Sequence, residues 1–233
     1  MNTLEVNGLY KSYGRKLAVN NLNFQVGPGK IVGLLGPNGC GKTTTMKIVT
    51  GLIQDFTGDV KITGMPISVE SKAIVSFLPE KTYLSDWMKP SYAFDYFSDF
   101  YTDFDKSKAY ELLNHMGISP DQKIKTMSKG MQEKLQLVLV MSRAAKLYIL
   151  DEPLSGVDPA TRAYILDTIL KNYNEESSIL MSTHLIYDVE RIFDDVVMMK
   201  DGTAVIADTV DNIRERTGKS VEEYFKEVFA YVW

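Results

Sequence analysis

Apolar and polar positions alternate over the first 65 residues, at Leu4/Val6, Leu22/Phe24/Val26 and Val60/Ile62, and a period of two predicts strands. Gly27-Pro28-Gly29 reads as a turn leading into Ile31-Val32-Gly33-Leu34-Leu35, an unbroken apolar run expected of a buried strand. Residues 43–50 then read as a helix closed by Gly51. From about 81 to 145 the period lengthens to that of a helix, most plainly at Tyr110-Glu111-Leu112-Leu113 and over 132–141. Beyond this, elements alternate: strand 147–150, helix 159 to about 173, strand 179–182, helix 185–193 and strand 196–199. Asp201-Gly202 signals a hairpin. Alternation of this kind predicts an α/β fold with a mainly parallel sheet and crossover helices. In the tail, about 208–233, Val221, Phe225, Val228 and Phe229 share one helical face. Glu222, Glu223 and Glu227 make its polar face acidic, so this helix is expected to dock on protein and not on a membrane surface.

Composition narrows the class. The chain has 233 residues, 45% hydrophobic and 24% charged, which fits a packed globular protein and excludes disorder as its main state. Its length suits one large domain, 1–233, or a core carrying a subdomain. A formal net charge of −4 argues against duplex nucleic acid as a partner. The single Cys40 excludes an internal disulfide and fits a reducing compartment. No apolar run approaches the 18 or so residues of a membrane span, and residues 1–5 lack the basic-then-apolar order of a secretory signal. The expectation is a cytoplasmic protein; were it to work at a membrane, another chain would supply the spanning part.

Three segments carry chemistry. Gly36-Pro37-Asn38-Gly39-Cys40-Gly41-Lys42-Thr43 has the spacing of a phosphate-binding loop, followed by Thr44 at the start of a helix. Glycines let backbone N–H groups turn inward around phosphate oxygens, and the helix N-terminus favours negative charge. Lys42 is placed to reach the β- and γ-phosphates and Thr43 to bind Mg²⁺. The strand 147–150 runs into Asp151-Glu152, and in a parallel sheet the carboxyl ends of strands open on the ligand crevice. Asp151 can therefore hold Mg²⁺, and Glu152 can act as general base toward water. The strand 179–182 ends in Ser182-Thr183-His184 at the same edge, where His184 could sense a γ-phosphate. His115 shows no comparable setting and reads as an ordinary helix residue.

With these segments in this order, from about Leu4 to Ala207, the chain resembles the nucleotide-binding subunits of ATP-binding cassette (ABC) transporters. The resemblance implies a RecA-like ATPase core with an antiparallel β subdomain and an inserted helical subdomain at about 81–145. It also implies a homo- or heterodimer that closes on two ATP molecules, and a membrane permease on a separate chain. Matched residue by residue, Tyr13 corresponds to the aromatic that stacks on adenine, Asp158 in Ser155-Gly156-Val157-Asp158 to the dimer-loop carboxylate, and His184 to the switch histidine.

Two motifs depart from the usual pattern. The signature loop, commonly Leu-Ser-Gly-Gly-Gln, is Met127-Ser128-Lys129-Gly130-Met131. Ser128 and Gly130 keep a hydroxyl and backbone N–H groups for a partner's γ-phosphate, while Lys129 and Met131 alter the contact. At Phe77-Leu78-Pro79-Glu80 many members carry Gln where this chain has Glu80, which offers oxygen to Mg²⁺ or water but adds charge. A Pro-Glu pair here resembles the drug- and antibiotic-efflux branch.

Residues 83–110 hold ten aromatics. Most are expected to form the helical subdomain's own core, with Tyr83 and Trp87 as candidates to meet the permease. Rival readings are a non-transport ABC protein acting on a macromolecule, a regulatory ATP-binding module, or a small-molecule kinase. Tandem cassettes or coiled coils would favour the first, and neither is present. Intact Lys42, Asp151, Glu152 and His184 oppose the second, and the third leaves Ser128–Gly130 and Asp158 unexplained.

Overall fold

The computed structural model describes residues 1–173 and 176–230. Strands β1 (Leu4–Tyr13) and β2 (Lys16–Val26) form a hairpin around Gly14, whose positive φ of 58° suits the tight turn. A short central strand, β3 (Ile31–Leu35), feeds the phosphate-loop segment and helix α1 (Lys42–Val49). Next come β4 (Thr57–Ile62), β5 (Met65–Pro66), α2 (Val69–Ala73) and β6 (Val75–Leu78). Helices α3 (Pro90–Phe100), α4 (Lys106–His115) and α5 (Lys129–Met141) lie between β6 and β7 (Leu147–Asp151). Then follow α6 (Pro159–Asn172), β8 (Ser178–Thr183), α7 (Ile186–Val189), β9 (Asp195–Lys200) and β10 (Thr203–Thr209). Two tail helices, α8 (Val210–Thr217) and α9 (Val221–Val228), close the described chain.

Two sheets result. The antiparallel one has the order β2-β1-β4-β5, and the six-stranded one β10-β9-β3-β8-β7-β6 is parallel except at its β10 edge. Both faces of the parallel sheet are covered, which explains the unbroken burial of β3, β7 and β8. Val32, Leu34, Leu147, Ile149 and Leu180 pack with α1 and the antiparallel sheet. Ile31, Leu35, Tyr148, Leu150 and Met181 face the helical layer instead. Register decides the function of this arrangement. Leu35 pairs with Thr183, Asp151 with Ser182, and Leu78 with Leu150, so four strands release their chemistry at one edge.

Three features differ from the pattern-based expectation. The helix expected over 185–193 is broken into α7 and a single 3-10 turn, Glu190–Ile192. The helix already ends at Val189, and Phe193, extended after the 3-10 turn, lays its ring on Gly33, where a Cβ would meet it at 2.6 Å. Short β5, α2 and β6 carry too little periodicity to stand out. Finally, most of the ten aromatics are not core: Tyr83, Trp87, Tyr92, Tyr96, Phe100 and Tyr110 are exposed, whereas Phe94 and Phe97 are buried. The reason is geometric, because the aromatics of α3 spread over more than half of its circumference and only one stripe of it can face α4 and α5.

The tail folds back onto its own chain. Val221 and Phe229 enter the main core, and the Glu222 N–H donates to Glu190 Oε2 at 3.0 Å. The last three residues of the expected tail segment, 231–233, lie outside the described residues.

Candidate active site

Gly36, Gly39 and Gly41 adopt φ of 156°, 81° and 108°, and the last two lie in the region where a side chain is strained. At Gly41 a Cβ would also come within 2.4 Å of the Ala18 carbonyl, so this position tolerates nothing larger. The loop therefore curls tightly over the N-terminus of α1. Lys42 opens that helix, is buried, and donates to the carbonyls of Gly36 at 2.7 Å and Pro37 at 3.2 Å. Among the described residues no carboxylate pairs with it. A buried ammonium served by neutral carbonyls alone is short of negative charge, a deficit that a polyphosphate meets.

Opposite stands the end of β7. Asp151, 1% exposed, accepts from Thr43 Oγ1 at 3.2 Å and from Ser182 Oγ at 2.6 Å. The Ser182 hydroxyl also accepts from the Glu152 N–H at 3.0 Å. The same N–H also donates to the Ser182 carbonyl at 3.2 Å, and Glu152 itself has a left-handed backbone, φ 53°, directly after the strand. Glu152 Oε2 lies 2.7 Å from His184 Nδ1 and accepts from the His184 N–H at 3.3 Å. Glu152, His184, Lys42 and Thr43 thus converge on a cleft of about 460 Å³, lined also by Tyr13, Asn38, Gly39, Gly41, Thr44 and Glu80.

Cys40 sits in the loop with its sulfur buried, and burial pushes its thiol above the ordinary value. Gly36 accommodates that sulfur, since a Cβ there would meet Cys40 Sγ at 2.6 Å.

The remaining expected site residues lie elsewhere. Ser128 caps α5 through its hydroxyl, 3.3 Å from the Met131 N–H, and Lys129, Gly130 and Met131 begin that helix without reaching the cleft. Asp158 caps α6, accepting from the Thr161 N–H at 3.0 Å and from the Thr161 hydroxyl at 2.7 Å. Four residues at the site were not singled out from sequence. Lys16, Ala18 and Ser155 line the cleft, and Ser182 joins Asp151 to Glu152. Ser182 left a signal as a polar residue at the carboxyl end of an apolar strand, and Ser155 opens the motif that runs to Asp158.

A second concavity, about 970 Å³, adjoins the cleft and shares Thr43 and Glu80 with it. Tyr83, Tyr96, Phe97, Phe100 and Tyr101 line one side, with Lys47, Lys72 and Arg143 among its polar walls. Arg143 is buried. It holds Asp103 through two bonds of 2.9 and 3.0 Å, donates to the carbonyls of Val75 and Ala73, and stacks 3.8 Å from the Tyr101 ring centre.

Comparison with known proteins agrees with this geometry. A family profile described as ABC transporter matches residues 19–155, more than half of the chain. The chain belongs to the ABC transporter family. An uncharacterized ABC transporter ATP-binding protein of Methanocaldococcus jannaschii is 34% identical, over 90% of this chain and 79% of the relative. The lantibiotic transport ATP-binding protein SrtF of Streptococcus pyogenes is 30% identical, over 95% of each chain. A solved ATP-binding subunit of an ABC transporter superposes with a TM-score of 0.87 at 26% identity, covering 97% of this chain and 99% of that one. The protein is therefore an ATP-binding and ATP-hydrolysing subunit of the ABC type, with the α/β cassette fold. Among the described residues no helix is long and apolar enough to cross a membrane.

Proposed function

We propose that the protein is the ATP-driven motor of an exporter, docked at the inner face of a membrane on a permease formed by a separate chain. The observation that carries this reading is Glu80, which lines both the nucleotide cleft and the aromatic-walled groove. A group in that position feels the γ-phosphate on one side and whatever fills the groove on the other. Export is favoured by the relatives, a lantibiotic transport protein and the linearmycin resistance protein LnrL of Bacillus subtilis. Tyr83 and Trp87, with the other exposed aromatics of 83–110, would meet the permease.

In this reading the backbone of residues 36–41, with Lys42 and Thr44, cradles the phosphates, and Tyr13 stacks on adenine. Thr43, Asp151 and Glu80 make an all-oxygen donor set that suits Mg²⁺ held jointly with substrate phosphates. Mg²⁺ would neutralise charge on the β- and γ-phosphates. Glu152 accepts the proton as water attacks γ-phosphorus and the bond to the β-γ bridging oxygen breaks, while His184 orients the carboxylate. Ser128, Lys129, Gly130 and Met131 face the γ-phosphate of a second subunit, and Asp158 lies at that dimer contact. Their placement outside the monomer's own cleft is what such a shared site requires. The second subunit is an identical or a related chain.

Affinity capture of the full chain from native membranes, followed by identification of bound proteins, tests the proposal. An integral membrane protein that raises ATP turnover supports it. Capture of soluble complexes alone, with no stimulation by any membrane protein, overturns it.

A further inference from the structure

β1 buries Leu9 and Lys11 and leaves Tyr13 half exposed past a shift in register, and a buried lysine is unusual. Lys11 is 7% exposed, and its Nζ lies 2.9 Å from Asp55 Oδ2 and 5.0 Å from the Tyr13 ring centre. Asp55 is fully exposed, so water competes for it and the ion pair offsets little of the cost of burying an ammonium. The ammonium's other contact is the ring. Tyr13, half exposed, lines the nucleotide cleft, whereas Lys11 does not.

We propose that Lys11 is a positioning residue for nucleotide binding: its ammonium holds the Tyr13 ring by a cation–π contact so that the ring is preset to receive a purine. A cation within about 6 Å of a ring centre is attracted by the π-face and restricts the ring's rotation. Drawing electron density toward itself, it also makes the ring a better stacking surface for an electron-rich base. Preorganisation lowers the entropic cost of binding, and Lys11 acts on the base alone because it does not line the cleft. The inference rests on Tyr13 being the base-stacking residue.

The test compares Mg-ATP with Mg-tripolyphosphate, which lacks a base, by calorimetric titration of the full chain. Lys11→Met is expected to weaken ATP binding about two- to five-fold. It should leave tripolyphosphate affinity and kcat at the parental level, and Lys11→Arg should restore ATP affinity. In a Tyr13→Leu background Lys11→Met should change nothing further. Should Lys11→Met fold poorly, Lys11→Gln takes its place in the cycle. Equal losses for ATP and tripolyphosphate would show that Lys11 acts as a plain charge and overturn the proposal. An additive effect in the Tyr13→Leu background overturns it too. Should Tyr13→Leu weaken ATP binding while Lys11→Met does not, this inference alone fails. If Tyr13→Leu has no effect, the stacking assignment fails and takes the inference with it.

Discussion

Glu152→Gln separates catalysis from binding more cleanly than any other change at the site. Gln has nearly the same shape, and its amide oxygen can still accept from the His184 N–H, now 3.3 Å from Glu152 Oε2. The backbone strain at φ 53° is unchanged, since neither residue has a branched Cβ, and the 3.0 Å bond from the residue-152 N–H to Ser182 persists. What disappears is the proposed proton acceptor, a side chain only 11% exposed and therefore poorly replaced by bulk water. Loss of a general base lowers rates by about 10²–10⁴-fold, or roughly 3–5 kcal/mol in the barrier. ATP affinity should hold within about threefold or tighten, because Lys42 and Thr43 are untouched and one negative charge leaves the cleft. Single-turnover hydrolysis by rapid quench gives the rate, and light scattering gives the mass with ATP. The expected result is slow hydrolysis with an ATP-dependent dimer that persists. Turnover within threefold of the parent would remove Glu152 from its role. Slow turnover without a dimer would instead point to the altered loop at Ser128–Met131 and to an unlike partner chain.

Lys42→Ala should weaken Mg-ATP binding by at least about tenfold, because a charge-assisted contact to phosphate is lost; calorimetry checks this. Cys40 should label slowly near neutral pH and faster as pH rises, because burial raises its pKa and only the thiolate reacts. Bound ATP should slow that labelling at every pH, as read by mass spectrometry. Glu80→Ala should lower ATP affinity only a few-fold, through one lost Mg²⁺ ligand, but cut permease-stimulated ATPase activity by about tenfold, with Glu80→Gln milder; turnover in reconstituted vesicles decides. Arg143→Ala strips Asp103, the buried Val75 carbonyl and the half-buried Ala73 carbonyl of their partner and should cost about 2–4 kcal/mol in chemical denaturation.

The local motifs were legible in the sequence because their chemistry depends on spacing along the chain. A phosphate loop needs its glycines where φ turns positive, and Gly39 and Gly41 occupy those places. The strands carrying Asp151 and His184 announced themselves as apolar runs with polar ends, and alternation of strands and helices implied a parallel sheet. A shared carboxyl edge then followed from topology alone, and Lys42, Thr43, Glu152 and His184 do meet in one cleft.

Contacts across the fold were decided only by tertiary structure. Ser182 serves Asp151 because β7 and β8 pair in that register, and a slip of one residue would turn its hydroxyl to the other face. Lys16 and Ala18 reach the cleft from the antiparallel sheet, whose docking on α1 depends on packing and not on any local pattern. Phe193 fills the space left by Gly33 from a segment far along the chain, and Arg143 gathers Asp103, Val75 and Ala73 from separate segments. The aromatics of 83–110 show the same limit. Composition concentrates them, but which side of α3 is buried depends on where α4 and α5 come to rest, and burial is a property of the assembled layers.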